Sequence, residues 1–256
     1  MLVAEPSPTD SLPTRNLTVR LAQGEADVAA AQRLRFEIFC AGLGATSAVS
    51  GARDIDPYDA LCDHLLVEDD GRAVGTYRLL RKSIAAAHSG FYSAGEYHLD
   101  RLTSLEGEWL ELGRSCVAPA YRDAGTIQLL WRGIAAYLQA HDIRLMFGCA
   151  SFHGVDPADH AAPLSYLYHN HLAPPQLRAR ALDTRHVAMD ILPIGGYDQR
   201  SALRMLPPLI KGYLRVGAMV GDGAVIDHDF NTVDVFMIMP VEQISARYLQ
   251  RFGAAA

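Results

Sequence analysis

The stretch Glu111-Leu-Gly-Arg-Ser-Cys-Val-Ala-Pro-Ala-Tyr-Arg-Asp-Ala-Gly125 decides the fold class. It starts as an apolar strand interrupted by charges, passes through a turn at Pro119 and enters a glycine-containing helix start. A strand that feeds a helix N-terminus through such a turn makes an anion site, because the first helical N–H groups have no partners inside the helix. A phosphate can be held there. Immediately outward, Trp109–Val117 reads as the strand, residues 126–140 carry Ile127, Leu130, Trp131, Ile134 and Leu138 at helical spacing, and Ile143–Cys149 is the next strand. Strand, helix and strand in this order describe a helical crossover within an α/β sheet.

Further outward the pattern continues. Leu17–Leu21 alternates as a short strand, and Val28, Ala31, Leu34, Ile38 and Phe39 place a helix over 25–39, with Arg35 within reach of its buried stripe. Residues 42–63 lose periodicity and end in Asp54-Ile-Asp56-Pro-Tyr-Asp59. His64–Glu68 and Arg72–Leu80 flank Asp70-Gly71, a hairpin signal. A less regular segment runs to about 107. In the C-terminal part we expect a helix near 157–172, an amphipathic helix near 203–217, a strand over Thr232–Met239 and a last helix from Glu242. Residues 1–15, with three prolines and no periodicity, read as a disordered lead, and no linker divides 16–256, which we read as a single domain.

Composition narrows the functional classes. With 29 acids against 23 bases and a net charge of −6, the balance disfavours nonspecific nucleic-acid binding, which normally needs a basic stripe, and leaves room only for local basic patches. Cys40, Cys62, Cys116 and Cys149 are scattered without a CxxC pair, which argues against a zinc site and a disulfide framework. No window approaches ~18 uninterrupted apolar residues, and the start MLVAEPSPTDSLPTR has no charged and apolar leader. The expectation is a cytoplasmic protein with no metal.

Several blocks resemble the GNAT acyltransferase superfamily, and within it the carrier-protein-using ornithine N-acyltransferases that make lyso-ornithine lipid, with a distant similarity to acyl-homoserine-lactone synthases. They are Arg35-Phe-Glu-Ile-Phe39, the Asp54–Asp59 loop, Arg78, Glu111-Leu-Gly113-Arg114 and Val117-Ala-Pro-Ala-Tyr-Arg122, and the resemblance extends over about residues 17–252. Leu206–Arg215 and Asp229–Asp234 resemble the lipid-forming enzymes more narrowly. Ile127 stands where the superfamily's pyrophosphate loop usually has a small residue, which would crowd coenzyme A and suits the single phosphate of a carrier's phosphopantetheine arm. Gly113 replaces the serine common in lactone synthases, and their loop tryptophan is missing after Gly44.

The resemblance implies a GNAT-like mixed central sheet flanked by helices, with a C-terminal elaboration. It implies no permanently bound cofactor, the phosphopantetheine arm of acyl carrier protein as donor, and transfer of a 3-hydroxy fatty acyl group to an amino acid α-amine. L-Ornithine is the favoured acceptor, with glycine, glutamine or lysine used by relatives of similar sequence. The product would be a lyso-aminolipid, so a peripheral contact with the inner membrane around 203–217 is also expected. A lactone synthase is the alternative enzyme, and a non-catalytic module sensing an acylated carrier or lipid is the alternative outside catalysis.

Acylating an amine requires that it be deprotonated; an α-amino group titrates near ~8 in peptides, so a carboxylate that takes its proton accelerates the reaction. Glu111, in an apolar strand, is the candidate base, and a structural ion pair with Arg114, Arg78 or Arg35 is its alternative. Arg114 is the candidate for the acceptor carboxylate, against a strand-bridging role. Arg35, Phe39, Asp56, Asp59 and Arg78 are candidate substrate-binding residues; for the acids, pairing with Arg35 and Arg78 to pin the loop is the alternative, and a buried Arg35 should find its partner among them. Val117, Arg122, Gly125 and Thr126 are the candidate donor phosphopantetheine site. Arg178, Arg180 and Arg185 can dock an acidic carrier or be ordinary surface residues. Asp227, Asp229 and Asp234 can bind the side-chain amine of a diamino acid or serve turns and caps.

Other signals lead nowhere. His64 to Asp69 has the His-x4-Asp spacing of glycerolipid acyltransferases but lies along a strand, and His153, His160, His169 and His171 have no zinc-like spacing. The chain has no GxSxG elbow, Walker loop or dinucleotide fingerprint. Cys149 and Ser151 follow an apolar strand and can line a pocket or pack its end.

Overall fold

The computed structural model describes residues 15–46, 51–102 and 105–244. β1 (Leu17–Leu21) lies antiparallel on β2 (Asp63–Asp69), which turns through Asp70-Gly71 into β3 (Arg72–Arg81). Asp70 and Gly71 both have positive φ, 48° and 80°, as a tight turn matched to the right-handed twist of its strands requires. Between β1 and β2 comes α1 (Glu25–Arg35), which continues as a π-turn over Phe36–Cys40 and ends in α2 (Ala41–Leu43). The helix expected over 25–39 is therefore present but wider in its last turns, a distortion common at functional sites.

The irregular segment after β3 contains α3 (Lys82–Ala87), a 3-10 turn at Tyr92–Gly95 and the two-residue β4 (Tyr97–His98). β5 (Glu108–Val117), α4 (Ala124–Ala140) and β6 (Ile143–His153) form the expected crossover, with β6 parallel to β5. Then come α5 (Ala161–His171), β7 (Arg180–Ala181), α6 (Gln199–Met205), α7 (Pro208–Arg215), β8 (Met219–Asp227) and β9 (Thr232–Pro240). The strands form one mixed sheet in the order β1-β2-β3-β5-β6-β9-β8-β7-β4. The expected mixed sheet flanked by helices is what the chain forms.

Two expectations need correction. The helix at 203–217 is two helices, because Pro207-Pro208 cannot continue a helix and forces the preceding Leu206 into extended backbone. β8 was not anticipated: Met219-Val-Gly-Asp-Gly-Ala-Val-Ile-Asp227 contains two glycines and an internal aspartate, a composition poor in strand signal. The lead at 1–14 and the rest of the helix expected from Glu242 lie outside the described residues. Val241–Gln243 forms a 3-10 turn.

The two sheet faces have different partners. On one, Leu130, Ile134 and Leu138 of α4 pack with Leu65, Val67 and Leu79, joined by Leu164 of α5 and Ile210 and Tyr213 of α7. On the other, Trp109, Phe147 and Phe236 pack with Tyr97 and Leu102, while Leu34 and Ile38 cover Cys116. Alternation along the strands puts Arg78, Leu80, Glu111, Cys149 and Asp234 on this second face. The polar residues of the site thus share a face with the smaller apolar clusters.

Candidate active site at the parting of two strands

β5 and β6 pair only from Glu108↔Ile143 to Glu111↔Phe147. Beyond that point β5 stays bonded to β3 and β6 to β9, and a cavity of about 200 Å3 opens where they part. The strands are pressed together at the fork: a Cβ on Gly148 would lie 2.1 Å from the Leu112 carbonyl oxygen, so only glycine fits. Glu111 is at the fork itself.

A bulge shapes the wall beside it. Arg78 faces Gly113 and Thr76 faces Cys116, so β5 has one more residue than β3 over this step, and Arg114 takes φ 51° to absorb it. Arg114 then lies across the rings of Phe230 and Tyr92, its guanidinium carbon 4.3 and 5.0 Å from their centroids. The Phe39 ring meets Phe230 edge-on at 5.9 Å, and both line the cavity.

Three arginines and three aspartates form one network under this wall. Arg35, 0% exposed, donates from Nε to Asp54 Oδ2 at 2.8 Å and from Nη2 to Asp59 Oδ2 at 2.7 Å and the Asp54 carbonyl at 2.6 Å. Arg78 Nη1 donates to Asp56 Oδ2 at 2.5 Å and Asp59 Oδ1 at 3.1 Å. Arg114 reaches Asp56 Oδ2 at 3.0 Å and Asp54 Oδ2 at 3.3 Å. Burial works to raise the Asp59 carboxyl, but the Arg35 hydrogen bond and charge prevail and hold it at about 2. Equal numbers of opposite charges with good geometry make such burial tolerable.

This placement corrects the substrate-binding assignments. Arg35 is sealed from the cavity and found its partners among the acids as expected, so Arg35 and Asp59 position the loop and cannot touch a substrate. Asp56 caps the Pro57–Ala60 turn through the Tyr58 N–H and braces Arg78 and Arg114. Phe39, Arg78, Glu111 and Arg114 do line the cavity.

Glu111 forms no ion pair with Arg114, Arg78 or Arg35 among the described residues. Its Oε2 accepts the Tyr92 N–H at 2.8 Å and its Oε1 the Ser93 N–H at 2.7 Å. Burial pushes its carboxyl above the ordinary range even though these N–H groups favour the charged form. Each oxygen keeps acceptor capacity for a further proton donor.

The strand-turn-helix that opened the sequence reading is capped by the protein's own anion. Asp123 Oδ1 accepts the Thr126 N–H at 3.0 Å, and Asp123 also pairs with Arg15. Thr126 is fully buried and Arg122 donates from Nε to the Val117 carbonyl at 3.1 Å. The Thr126 N–H is therefore not available to a phosphate unless Asp123 yields, which corrects the assignment of Thr126 as a donor ligand. Arg122 and Gly125 are exposed on the turn, and Ile127 is exposed at the first helical turn.

Tyr92, Ser93 and Glu96 had no assignment from sequence. Tyr92 and Ser93, from the irregular segment, hold Glu111 and line the cavity. Cys149 and Ser151 line it too, and the Cys149 thiol lies 3.2 Å from Glu96 Oε2 and 3.7 Å from Ser93 Oγ. Asp227 and Asp234 are on its wall, while Asp229 is exposed in the turn that Asp227 caps. The basic cluster is spent internally: Arg178 donates to the Ala173 carbonyl, Arg180 pairs with Asp183 and Asp222, and Arg185 reaches the Gly95 carbonyl and Glu96.

Residues 34–132 match the family model described as an acetyltransferase (GNAT) domain. The L-ornithine N(alpha)-acyltransferase of Brucella abortus (strain 2308) is 50% identical over 253 residues, 94% of this chain and 90% of the relative. That of Agrobacterium fabrum (strain C58 / ATCC 33970) is 45% identical over 252 residues, 94% of this chain and 86% of the relative. Among solved structures, the AHL synthase LasI superposes with a TM-score of 0.52 at 15% identity, covering 93% of this chain and 95% of its own. FeeM, an N-acyl amino acid synthase from uncultured soil microbes, gives 0.54 at 9% identity, covering 90% and 93%. At such identities the structural likeness shows a shared fold alone.

Proposed function

The chain belongs to the L-ornithine N(alpha)-acyltransferases of the GNAT superfamily, and on that premise we propose that it passes a 3-hydroxy fatty acyl group from acyl carrier protein to ornithine across the β5–β6 fork, with Glu111 as general base. The observation that carries this reading is the parting of the two strands beyond Glu111↔Phe147, with a buried carboxylate at the fork and a cavity behind it. An acyl thioester lying in the opening would present its carbonyl to an amine at Glu111. The amine nitrogen bonds to the thioester carbon, the carbon–sulfur bond breaks, and the pantetheine thiol leaves. The amine's proton goes to Glu111, whose carboxylate burial makes a stronger base than an exposed one.

Arg114 braces this geometry. Its guanidinium is held by Asp54 and Asp56 and flattened against Tyr92 and Phe230, so the face it turns to the cavity is fixed in position for a substrate carboxylate. Arg78 and Phe39 complete the acceptor wall.

The donor's arm has an open strand edge to follow. Past Glu111, β5 is bonded to β3 alone, so its edge toward β6 can pair with the amides of a phosphopantetheine arm running out past Val117 to the turn at Arg122 and Gly125. Ile127 at that turn supports a carrier over coenzyme A. Residues 199–215 contain Arg200, Arg204, Lys211 and Arg215 and no acid, and Leu209 and Tyr213 of this segment line the cavity. That surface is our docking site for an acidic carrier, in place of Arg178, Arg180 and Arg185. No helix among the described residues is long and apolar enough to cross a membrane; a peripheral inner-membrane contact would use exposed Leu203 and Met205 of this segment and Ile194 before it.

The test is to incubate the purified protein with 3-hydroxyacyl carrier protein and a panel of amino acids, follow thiol release and identify products by mass. N-acyl ornithine is the expected product, and absence of thiol release with every amino acid refutes the reading. Glu111→Gln should lower kcat by about 10²–10⁴-fold; an unchanged rate and pH profile removes Glu111 as the base.

A further inference from the structure

Glu96, Asp227 and Asp234 come from the turn before β4, the end of β8 and the start of β9, and a carboxylate oxygen of each lies within 4.8 Å of the others. All three side chains are buried. Asp227 and Asp234 line the cavity, and Glu96 stands beside them, accepting the Cys149 thiol at 3.2 Å. Three buried carboxylates at this spacing need countercharge. Among the described residues, Arg185 supplies one guanidinium, with Nη2 3.7 Å from Glu96 Oε1. Arg114 also acts on Asp234 but is committed to Asp54 and Asp56.

A second observation points to a missing donor. Among the described residues Asp234 Oδ1 has no hydrogen-bond partner, although its residue is only 7% exposed and lies on the cavity wall. A buried acceptor left unpaired is costly. Burial and the mutual repulsion of the acids push Glu96 up to about 7, and burial pushes Asp234 up to about 6 despite the Ser151 and Thr232 hydroxyls beside it. The cluster carries more negative charge than its surroundings answer.

We propose that Glu96, Asp227, Asp234 and the Thr232 hydroxyl form the subsite for the side-chain ammonium of the acceptor, and so select a diamino acid. This rests on the acceptor reading given above. An ammonium has three N–H donors, and a nitrogen centred among three oxygens that all lie within 4.8 Å of one another is no more than about 2.8 Å from each, within the reach of charge-assisted hydrogen bonds. A calcium or magnesium ion would need about six oxygens, twice the number of these carboxylates. Glu111 and Asp234 face the same side of the sheet on strands that flank β6, opposite Phe147 and Ser151, so their backbones are about 16 Å apart, two strand spacings across β6 and four residues along it, and their side chains reach toward each other over Cys149. Cys149 of β6 connects them, touching Ser93 beside Glu111 and Glu96 beside Asp234. An amino acid with its α-nitrogen at Glu111 can therefore direct its side chain along β6 into the cluster.

The test uses the full chain with 3-hydroxyacyl carrier protein and compares ornithine with 2-aminopentanoate, which has the same skeleton without the side-chain amine. The wild-type protein should prefer ornithine in kcat/KM by at least about tenfold, as one charge-assisted hydrogen bond to a buried group predicts. In Asp234→Asn, and independently in Glu96→Gln should the first variant not fold, that preference should fall about tenfold or more through KM for ornithine, with KM for the carrier unmoved. A wild-type protein that acylates ornithine but does not prefer it, or folded variants that keep the full preference, overturns the subsite and leaves the acceptor reading standing. Failure of the wild-type protein to acylate ornithine overturns both. Loss of activity in EDTA that magnesium or calcium restores assigns the carboxylates to a metal and also overturns the proposal.

Discussion

Replacing Arg35 with methionine should cost about 3–5 kcal/mol, because it takes the most buried cation from Asp54 and Asp59 and leaves three acids to share Arg78 and Arg114. The figure follows from the geometry: three donations of 2.6 to 2.8 Å from a guanidinium that is 0% exposed, to Asp54 and Asp59. Methionine keeps the apolar stem packed on α1, so the loss is electrostatic rather than a cavity. Against a total stability of about 5–15 kcal/mol it is a large fraction. Urea denaturation of Arg35→Met, Asp59→Asn and the double variant measures it, and the two losses should be far from additive. The pH dependence separates charge from packing. Asp59 is held at about 2 against an ordinary 3.8, so its contribution in the wild-type protein is complete above 3.8 and is lost as pH falls through 2. Without Arg35, burial raises the same carboxyl, which then protonates on mild acidification and relieves the strain. The penalty of Arg35→Met should accordingly shrink between pH 7 and pH 3. A loss below about 1 kcal/mol, additive single variants, or a penalty independent of pH would refute the network's role.

Three further outcomes follow from the same geometry. Gly148→Ala places a carbon 2.1 Å from a backbone oxygen, which side-chain rotation cannot relieve, and should cost at least the upper end of ordinary overpacking, about 3 kcal/mol, read as a lowered urea midpoint. The folded-state carboxyls of Glu96 and Asp234 are raised, from 4.5 to about 7 and from 3.8 to about 6, so the stability they allow is full below about pH 4 and falls as pH rises through 6 to 7. For Glu96 alone the shift is on the order of 3 kcal/mol, and Glu96→Gln should flatten the wild-type decline in denaturation midpoint over this window; parallel profiles would refute it. Arg204→Glu should raise KM for the acyl carrier several-fold at low ionic strength and much less at high salt, measured by thiol release.

The fold was legible where local chemistry and tertiary context agree. Asp70-Gly71 is a turn in any setting, and the helical stripe from Ile127 to Leu138 can bury itself only on a sheet. β8 was hidden because Gly221, Asp222 and Gly223 break the alternation by which strands are recognised. The sheet tolerates them because close contacts leave no room for a side chain: a Cβ on Gly221 would lie 2.7 Å from the Ala179 carbonyl oxygen and one on Gly223 2.4 Å from the His186 ring. The amphipathic periodicity over 203–217 fits a single helix, but Pro207-Pro208 divides it, because two adjacent prolines remove two N–H groups and dictate a break.

The site was legible in part, and its residues differ in how strongly the chain marks them. Glu111, Arg114 and the Asp54–Asp59 loop carry charge in unusual surroundings, and such residues can be singled out from the chain alone. Tyr92 and Ser93 act through backbone N–H groups, which no side-chain pattern marks. Glu96 follows Gly95 in an irregular segment and gives no signal. Asp234 does give one: β9 is buried at every position, and Thr232-Val-Asp-Val-Phe-Met-Ile-Met-Pro240 contains one ionisable residue. A carboxylate in a strand covered on both faces must meet a cation or hold a proton. The described residues answer Asp234 with the Ser151 and Thr232 hydroxyls, with repulsion from Asp227 and Glu96, and with an arginine already paired elsewhere. Unlike the balanced charges under Arg114, this acid is therefore better explained by a cation that arrives with the substrate than by the fold it destabilises.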